Sequence, residues 1–138
     1  SVPLSSPVLV SRKFTSGFGV RRDPITGRAA SHQGIDFSAA WAAPITATAS
    51  GTVKFAGVRS GFGRCVEVDH GNGFMTRYAH LNRIVVRQGQ KVKLNQKVGE
   101  LGNSGRSTGP HVHYEVLFRG QPRNPLRFIE AGRYVFES

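Results

Sequence analysis

The sequence has a single cysteine, Cys65, among its 138 residues, so an internal disulfide is excluded. Cys65 lies in the alternating stretch 64–68, where a small and mostly buried apolar side chain is its ordinary role and nothing indicates a nucleophile. The sequence also lacks any apolar run close to the roughly eighteen residues of a membrane-spanning helix. Its first residues lack the charged-then-apolar pattern of a signal peptide. One domain of this length can form a single hydrophobic core without disulfide bonds.

Acidic residues are scarce, since Asp and Glu total 8 against 19 Lys and Arg, which gives a formal net charge of +11. This balance indicates an anionic partner or anionic surroundings. The basic residues are nevertheless scattered along the chain, form no block or basic helix, and match no nucleic-acid-binding module. We therefore expect no nucleic-acid partner and attribute the charge to retention near another anionic polymer.

No stretch of the sequence shows a convincing helical period, whereas short runs of β-forming residues alternate with turns. The 17 glycines suit so many tight turns. Three hairpin-like pairs are predicted, namely 45–49 with 52–56, 65–69 with 74–79, and 89–93 with 97–101. The predicted fold is all-β, an antiparallel β-sheet folded on itself with loops around a central cleft.

Two histidines, His111 and His113, stand one residue apart in a run that is typical of a β-strand. Successive side chains of a strand alternate between its faces, so both imidazoles point to one side. Val112 and Tyr114 then point to the other side, which can be core. A His-x-His pair alone is a weak signal of metal binding, because two histidines on a solvated strand face usually bind nothing.

A second pair, His32 and Asp36, is separated by four positions with Gly34 in the middle. The neighbouring Ile35 and Phe37 favour extended chain, in which the imidazole and the carboxylate project to the same side. Taken alone, the pair is equally well explained by an ion pair or by a turn-capping aspartate. Three of the five histidines fall in these two motifs, however, and two histidines with one carboxylate suit a catalytic zinc whose fourth position is left to water.

The two remaining histidines differ in context. His70 lies in a predicted hairpin loop, 69–73, where hydrogen bonding within the turn is favoured over catalysis. His80 follows the predicted strand 74–79, and alternation would place Tyr78 and His80 on the same face. A histidine at a strand end often only satisfies hydrogen bonds, so these residues alone leave the role of His80 open.

Four short motifs occur in one order along nearly the whole chain. They are His-x-Gly-x-Asp at 32–36, Val-Asp-His-Gly-Asn-Gly at 68–73, Tyr-Ala-His-Leu at 78–81 and Ser-Thr-Gly-Pro-His-x-His at 107–113. In these motifs, and from Phe14 to Phe128 in general, the sequence resembles the LytM/lysostaphin-type (M23) zinc metalloendopeptidases, which cut the peptides of peptidoglycan.

The resemblance implies one Zn²⁺ per domain, held by His32, Asp36 and His113, with His80 and His111 as a catalytic pair that does not bind the metal. It also implies hydrolysis of peptide cross-links of bacterial peptidoglycan in cell-wall remodelling, growth or division, with the D-Ala–diaminopimelate bond favoured over a glycine bridge. Which histidine is the general base stays open. The alternative is a non-catalytic LytM-type module that binds cell wall or activates an amidase, and the intact ligand set makes it the minor one.

The expected organisation is an N-terminal arm at residues 1–13, with one edge strand, and an M23-like metallopeptidase domain at residues 14–138. Loops at 22–28 and 102–107 are expected to border the cleft. The expected partners are peptidoglycan peptide stems and anionic cell-wall surroundings. Regulatory proteins are possible further partners. This substrate implies an extracytoplasmic, periplasmic location. Because the chain does not begin with Met, we expect an excised domain whose upstream part carries an export signal or an anchor.

Overall fold

The computed structural model describes residues 1–9, 12–22, 29–102 and 110–136. Most of the two loops expected to border the cleft, at 22–28 and 102–107, lies outside these ranges. Among the described residues, no helix is long and apolar enough to cross a membrane.

The described part of the chain forms thirteen β-strands and one α-helix. In chain order the elements are β1 (Arg12–Ser16), β2 (Gly19–Arg22), β3 (Ala29–His32), β4 (Ile35–Ala39), β5 (Pro44–Thr46), β6 (Gly51–Arg59), β7 (Gly63–Gly71), β8 (Phe74–Ala79), β9 (Leu81–Ile84), β10 (Lys91–Val92), β11 (Lys97–Leu101), β12 (His111–Phe118), β13 (Gln121–Arg123) and α1 (Pro125–Phe136).

One large sheet dominates the fold, and its strands lie in the order β1-β4-β12-β8-β7-β6-β10, with β13 paired to β12. A three-stranded sheet has the order β5-β11-β9, and β2 pairs with β3 in a small ribbon. Every one of these pairings is antiparallel. The predicted antiparallel all-β fold is therefore confirmed. Strand β1 lies at the edge of the large sheet, but only Arg12 and Lys13 of this strand belong to the predicted N-terminal arm.

The hydrophobic core lies between residues of the large sheet and residues of the three-stranded sheet. Alternate residues of β12, Val112, Tyr114 and Val116, are fully buried in it. Ile45 of β5 and Val98 of β11 belong to the same buried cluster. Because side chains of a strand alternate, burying one face of β12 leaves the opposite face, with His111 and His113, for other uses.

Of the three predicted hairpins, only the one joining β7 to β8 is present, with Asp69 opposite Met75. The prediction that 45–49 pairs with 52–56 is wrong, because β5 pairs with β11 and β6 pairs with β7. The third hairpin is also wrong, since β10 pairs with β6 while β11 lies between β5 and β9. In both cases the turn carries the chain from one sheet to the other.

Helix α1 was not predicted from the sequence. Asn124 caps it, since its side-chain oxygen accepts a hydrogen bond from the backbone N–H of Leu126 at 3.1 Å, and Pro125 occupies the first helical position. Gly132 lets the helix approach the N-terminal arm, because an added Cβ would lie 1.8 Å from the carbonyl oxygen of Leu4. The Tyr134-Val135-Phe136 end is rich in β-forming residues and weakens the helical signal.

Candidate active site

Asp36 and His113 face each other across two paired strands. The register of β4 and β12 places their Cα atoms opposite one another. Asp36 Oδ1 lies 2.8 Å from His113 Nδ1, and both side chains are mostly buried. Alternation supplies the rest of the geometry, because Ile35 and Phe37 on either side of Asp36 point into the core. The prediction that Asp36 and His113 point away from the core is confirmed.

The stretch between His32 and Asp36 differs from the prediction. The extended stretch is not continuous: β3 ends at His32, β4 begins at Ile35, and the two strands belong to different sheets. Gly34 lies between the two strands and passes close to β12, where an added Cβ would lie 2.4 Å from the carbonyl oxygen of Tyr114. The side chain of His32 is outside the described part, so its role as a ligand stays a prediction.

The second nitrogen of His113 has a partner that was not predicted from the sequence. His113 Nε2 lies 2.9 Å from Glu115 Oε2. The Glu115 side chain is only 2% exposed, and its other oxygen accepts a hydrogen bond from Arg77. A signal for Glu115 did exist, because His111, His113 and Glu115 follow the two-residue period of one strand face.

The electrostatics of this site favour positive charge at His113. Burial lowers the pKa of the imidazole, but its hydrogen bonds to Asp36 and Glu115 outweigh burial and raise that pKa to about 9. A mostly buried ring is thus surrounded by enough negative charge to hold a proton. The same surroundings, with one nitrogen and one carboxylate oxygen converging, fit a divalent cation such as zinc. In the part of the chain whose side chains are described, no three donor side chains converge as a complete metal site.

His80 and His111 lie beside this pair. Their ring centroids are 5.2 Å apart, and the ring of His80 is 6.2 Å from that of His113. The backbone N–H of His111 donates to the carbonyl of Gly102 at 2.8 Å, which fixes the first residue of β12. Three imidazoles from two segments of the chain are therefore gathered within contact distance.

The predicted orientation of His80 is wrong, although its location in the site is as the motif implied. Tyr78 points into the core and packs against Tyr114, whereas His80 faces His111 on the opposite side. The reason is the backbone of His80, which has a φ of 63° and so interrupts the alternation between β8 and β9. Its N–H donates to the carbonyl of Phe62 at 2.8 Å, and this bond holds the strained turn.

His70 is separate from the site and has a structural role, as its sequence context favoured. It belongs to strand β7 and not to a loop, and it is buried. Its Nδ1 lies 2.9 Å from the carbonyl oxygen of Ser50, and its Nε2 lies 2.7 Å from the hydroxyl oxygen of Thr76. Asp69 supplies the turn hydrogen bond instead, accepting from the N–H of Gly71 at 2.9 Å.

Cys65 is also confirmed as a structural residue. Its side chain is fully buried in β7. Burial is the main cause that raises the pKa of this thiol to about 11, and the carboxylate of Glu67 adds to the effect. A thiol with such a pKa stays protonated at neutral pH and is a poor nucleophile.

The family model for peptidase family M23 matches residues 30–125 of the chain. This range contains all five histidines and Asp36. The chain belongs to peptidase family M23.

Similarity to individual proteins agrees with this family. Peptidoglycan DD-endopeptidase ShyA of Vibrio cholerae is 42% identical over 122 residues, which are 88% of this chain and 28% of that protein. DD-carboxypeptidase/endopeptidase Mpg of Neisseria meningitidis is 42% identical over 118 residues, covering 86% of this chain and 27% of Mpg. A zinc-containing peptidase from Vibrio cholerae has a crystal structure that superposes with a TM-score of 0.82 at 40% identity, covering 86% of this chain and 37% of that one.

The chain thus spans less than a third of the length of the curated relatives it matches. The shared part contains the elements that position the site, namely β4, β8 and β12 with the turn at His80.

Proposed function

We propose that this domain is a zinc metalloendopeptidase that hydrolyses the peptide cross-links of bacterial peptidoglycan. The observation that carries the proposal is the convergence of Asp36 and His113 with the imidazoles of His80 and His111. Asp36 Oδ1 lies 2.8 Å from His113 Nδ1, and the ring centroid of His80 lies 5.2 Å from that of His111 and 6.2 Å from that of His113. Family membership and the names of the relatives support the same reaction class. A module that only binds cell wall has no need of this set and is not favoured.

Zinc would be held by His32, Asp36 and His113, with one ion per domain. When bound, zinc supplies a Lewis acid that polarises the scissile carbonyl and makes water more acidic. Two of the proposed zinc-binding atoms already lie side by side, since His113 Nδ1 and Asp36 Oδ1 are 2.8 Å apart. Their strands, β4 and β12, are paired within the large sheet, so backbone hydrogen bonds hold the two residues opposite each other.

His80 and His111 would perform the proton transfers. An imidazole has an unperturbed pKa near 6.5 and is suited to take a proton from the attacking water and return it to the leaving amine. The other imidazole would donate a hydrogen bond to the oxyanion of the tetrahedral intermediate. Either histidine can fill either role, because their rings lie 5.2 Å apart on the same side of the site.

The proposed substrate is the D-Ala–diaminopimelate cross-link of peptide stems, and the proposed location is extracytoplasmic, in the periplasm. The support comes from the relatives, which are named DD-endopeptidase and DD-carboxypeptidase/endopeptidase. The net charge of +11 would retain the domain near anionic wall polymers. Regulatory protein partners stay an expectation.

The direct test is mass spectrometry of muropeptides from purified sacculi incubated with the zinc-loaded chain. We expect cross-linked dimeric muropeptides to decrease and uncross-linked monomeric muropeptides to increase. His113→Ala is the inactive control. Loss of terminal D-Ala without loss of dimers would indicate a carboxypeptidase instead. Unchanged muropeptides in both D-Ala–diaminopimelate and glycine-bridged sacculi would refute the proposed function.

The charge argument has its own test. Hydrolysis of insoluble sacculi should weaken with added salt, because salt screens the attraction between scattered surface charges and the wall. Hydrolysis of a small neutral peptide should respond much less. An equal response of the two substrates would show that charge retention is the wrong explanation.

A further inference from the structure

A row of alternating charges runs behind His113 across the large sheet. Its members lie on four adjacent strands: Glu115 on β12, Arg77 on β8, Glu67 on β7 and Arg59 on β6. The strand registers place Glu115 opposite Arg77 and Arg77 opposite Glu67. Arg77 bonds to both carboxylates, with Nε 2.9 Å from Glu67 Oε2, and Arg59 Nε lies 3.1 Å from the same Glu67 oxygen.

The inner part of this row is buried. The side chains of Glu115 and Glu67 are 2% and 4% exposed, and that of Arg77 is 17% exposed. The ring of Phe62 covers the guanidinium of Arg77 at 4.7 Å. A buried ion-pair network is rarely more stabilising than apolar side chains of similar volume, so stability alone does not account for four charges here.

The hydrogen bonds of Glu115 divide between two partners. Arg77 Nη1 donates to Oε1, while Oε2 lies 2.9 Å from His113 Nε2. A carboxylate whose orientation is fixed by an arginine accepts a hydrogen bond from the imidazole Nε2–H. In the neutral ring, which is the form that binds a metal, the lone pair is then left on Nδ1, the atom that faces Asp36 Oδ1.

We propose that Glu115, anchored by Arg77, is a positioning residue that fixes the ring and tautomer of His113 so that Nδ1 is the metal-binding atom. The inference rests on the proposed function only in that Asp36 and His113 are taken as zinc ligands. Glu115 itself is not a ligand, because it contacts the far edge of the ring and shares its second oxygen with Arg77. A carboxylate on the outer nitrogen of a ligating histidine orients the ring and raises its basicity.

The first test measures zinc affinity by competition with a chromophoric chelator at one fixed pH. Relative to the wild-type chain, Glu115→Gln should bind zinc about 10- to 100-fold more weakly. Arg77→Met should weaken binding in the same direction, since it frees the Glu115 carboxylate to rotate. The matched control is Glu100→Gln, which removes a carboxylate paired with Lys97 in the three-stranded sheet and should leave zinc affinity unchanged. Wild-type affinity in a folded Glu115→Gln protein overturns the proposal.

The second test needs no substitution and covers the case in which Glu115→Gln does not fold. In the zinc-loaded wild-type chain labelled with ¹⁵N-histidine, two-bond ¹H–¹⁵N correlations identify which ring nitrogen carries hydrogen. We expect His113 to carry hydrogen on Nε2 and none on Nδ1. Hydrogen on Nδ1 with metal on Nε2 overturns the proposal, whatever the variants do. A merely structural Glu115 would not select the tautomer.

These readouts are separate from wall hydrolysis. If the muropeptides are unchanged but Glu115→Gln still weakens zinc binding, the positioning role stands and the proposed substrate is wrong. If sacculi are cleaved and Glu115→Gln binds zinc as tightly as the wild type, the proposed function stands and the positioning role is wrong. A wild-type chain that binds no zinc overturns both, and it is recognised without any variant.

Discussion

The two faces of the large sheet are built from the same strands and have opposite chemistry. On one face of β7 and β12, Val66, Val68, Val112 and Tyr114 are fully buried in the apolar core. On the other face, Glu67, Glu115 and His113 are nearly as buried but are charged or polar. Strand alternation explains how one sequence supplies both faces. The apolar face fixes the register, and the register in turn fixes which charges meet.

The faces also differ in how they satisfy polar atoms. The polar side chains of the core face are neutral, and the hydroxyls of Tyr78, Tyr114 and Thr48 form a small network with distances of 2.8 to 3.2 Å. The site face carries full charges, which Arg77 neutralises by bridging Glu67 and Glu115. Removing a neutral partner should therefore cost less than removing a charged one.

The largest expected effect on this comparison is that of Arg77→Met. It leaves the buried carboxylates of Glu67 and Glu115 without their shared partner, and we expect a loss of about 3–5 kcal/mol in the free energy of unfolding. Urea denaturation at neutral pH measures it. Arg87→Met, at an exposed position, is the matched control and should change stability by less than about 0.5 kcal/mol. A loss below about 1 kcal/mol for Arg77→Met would show that water reaches and solvates the two carboxylates.

The next effect separates neighbours on opposite faces of β12. His111→Ala should retain zinc and stability but lose turnover of cross-links by on the order of a hundredfold or more, as should His80→Ala. Val112→Ala should lose about 2 kcal/mol of stability, because it removes buried methyl groups from the core. Its turnover well below its melting temperature should stay near that of the wild type. Near-normal turnover in both histidine variants would mean that neither imidazole takes part in proton transfer.

Much of the site could be predicted from local pattern. The alternation of residues 111–115 gave the correct faces because one face had to be apolar, and a shift by one residue would have buried both histidines in the core. The same reasoning placed Asp36 correctly between Ile35 and Phe37. The period reached Glu115 as well, but its role depends on Arg77, which lies 38 positions away in sequence. No local pattern connects two such residues.

The wrong predictions concern features that depend on an unusual backbone conformation or on which distant strands pair. The left-handed φ of His80 reverses its side, and nothing in Tyr-Ala-His-Leu requires that conformation. The turns at 47–50 and 93–96 look like hairpin turns but connect different sheets, and their backbones bond to each other, as in Ala47 N–H to the Gln96 carbonyl at 2.9 Å. Short apolar runs do not identify their partners, because many pairings bury the same residues.

On the core face, Tyr78→Phe is expected to have a moderate effect. The Tyr78 hydroxyl accepts a hydrogen bond from the backbone N–H of Thr48 at 3.1 Å and lies 2.7 Å from the hydroxyl of Thr76. Its loss leaves a buried N–H unsatisfied, so we expect about 1–2 kcal/mol of destabilisation in urea. Tyr134→Phe is the control, since Tyr134 is 81% exposed. A loss as large as that of Arg77→Met would contradict the distinction between the two faces.

The smallest expected effect is a pH dependence of stability that originates at His70, on the face it shares with Thr76. Burial lowers the pKa of this imidazole from its ordinary 6.5, and the hydrogen bond with the Ser50 carbonyl only partly opposes burial. The folded protein therefore binds fewer protons here than the unfolded chain. The contribution of His70 to stability is complete above about pH 6.5 and is lost as the pH falls through the lower pKa of the folded state.

His70→Gln isolates this contribution, because an amide can hydrogen-bond to the Ser50 carbonyl and to Thr76 without titrating. Urea denaturation of both proteins in the same zinc-free buffer, between about pH 7 and pH 5, should show stability falling more steeply with acid in the wild type. His113 also contributes to the pH dependence, because its unfolded-state pKa lies near 6.5, but it is present in both proteins and its contribution cancels in the comparison. Its own contribution is complete below about pH 6.5 and is lost as the pH rises from there through about 9. Parallel curves for the two proteins would mean that His70 accepts a proton in the folded state as easily as in the unfolded chain, and that its burial does not exclude charge.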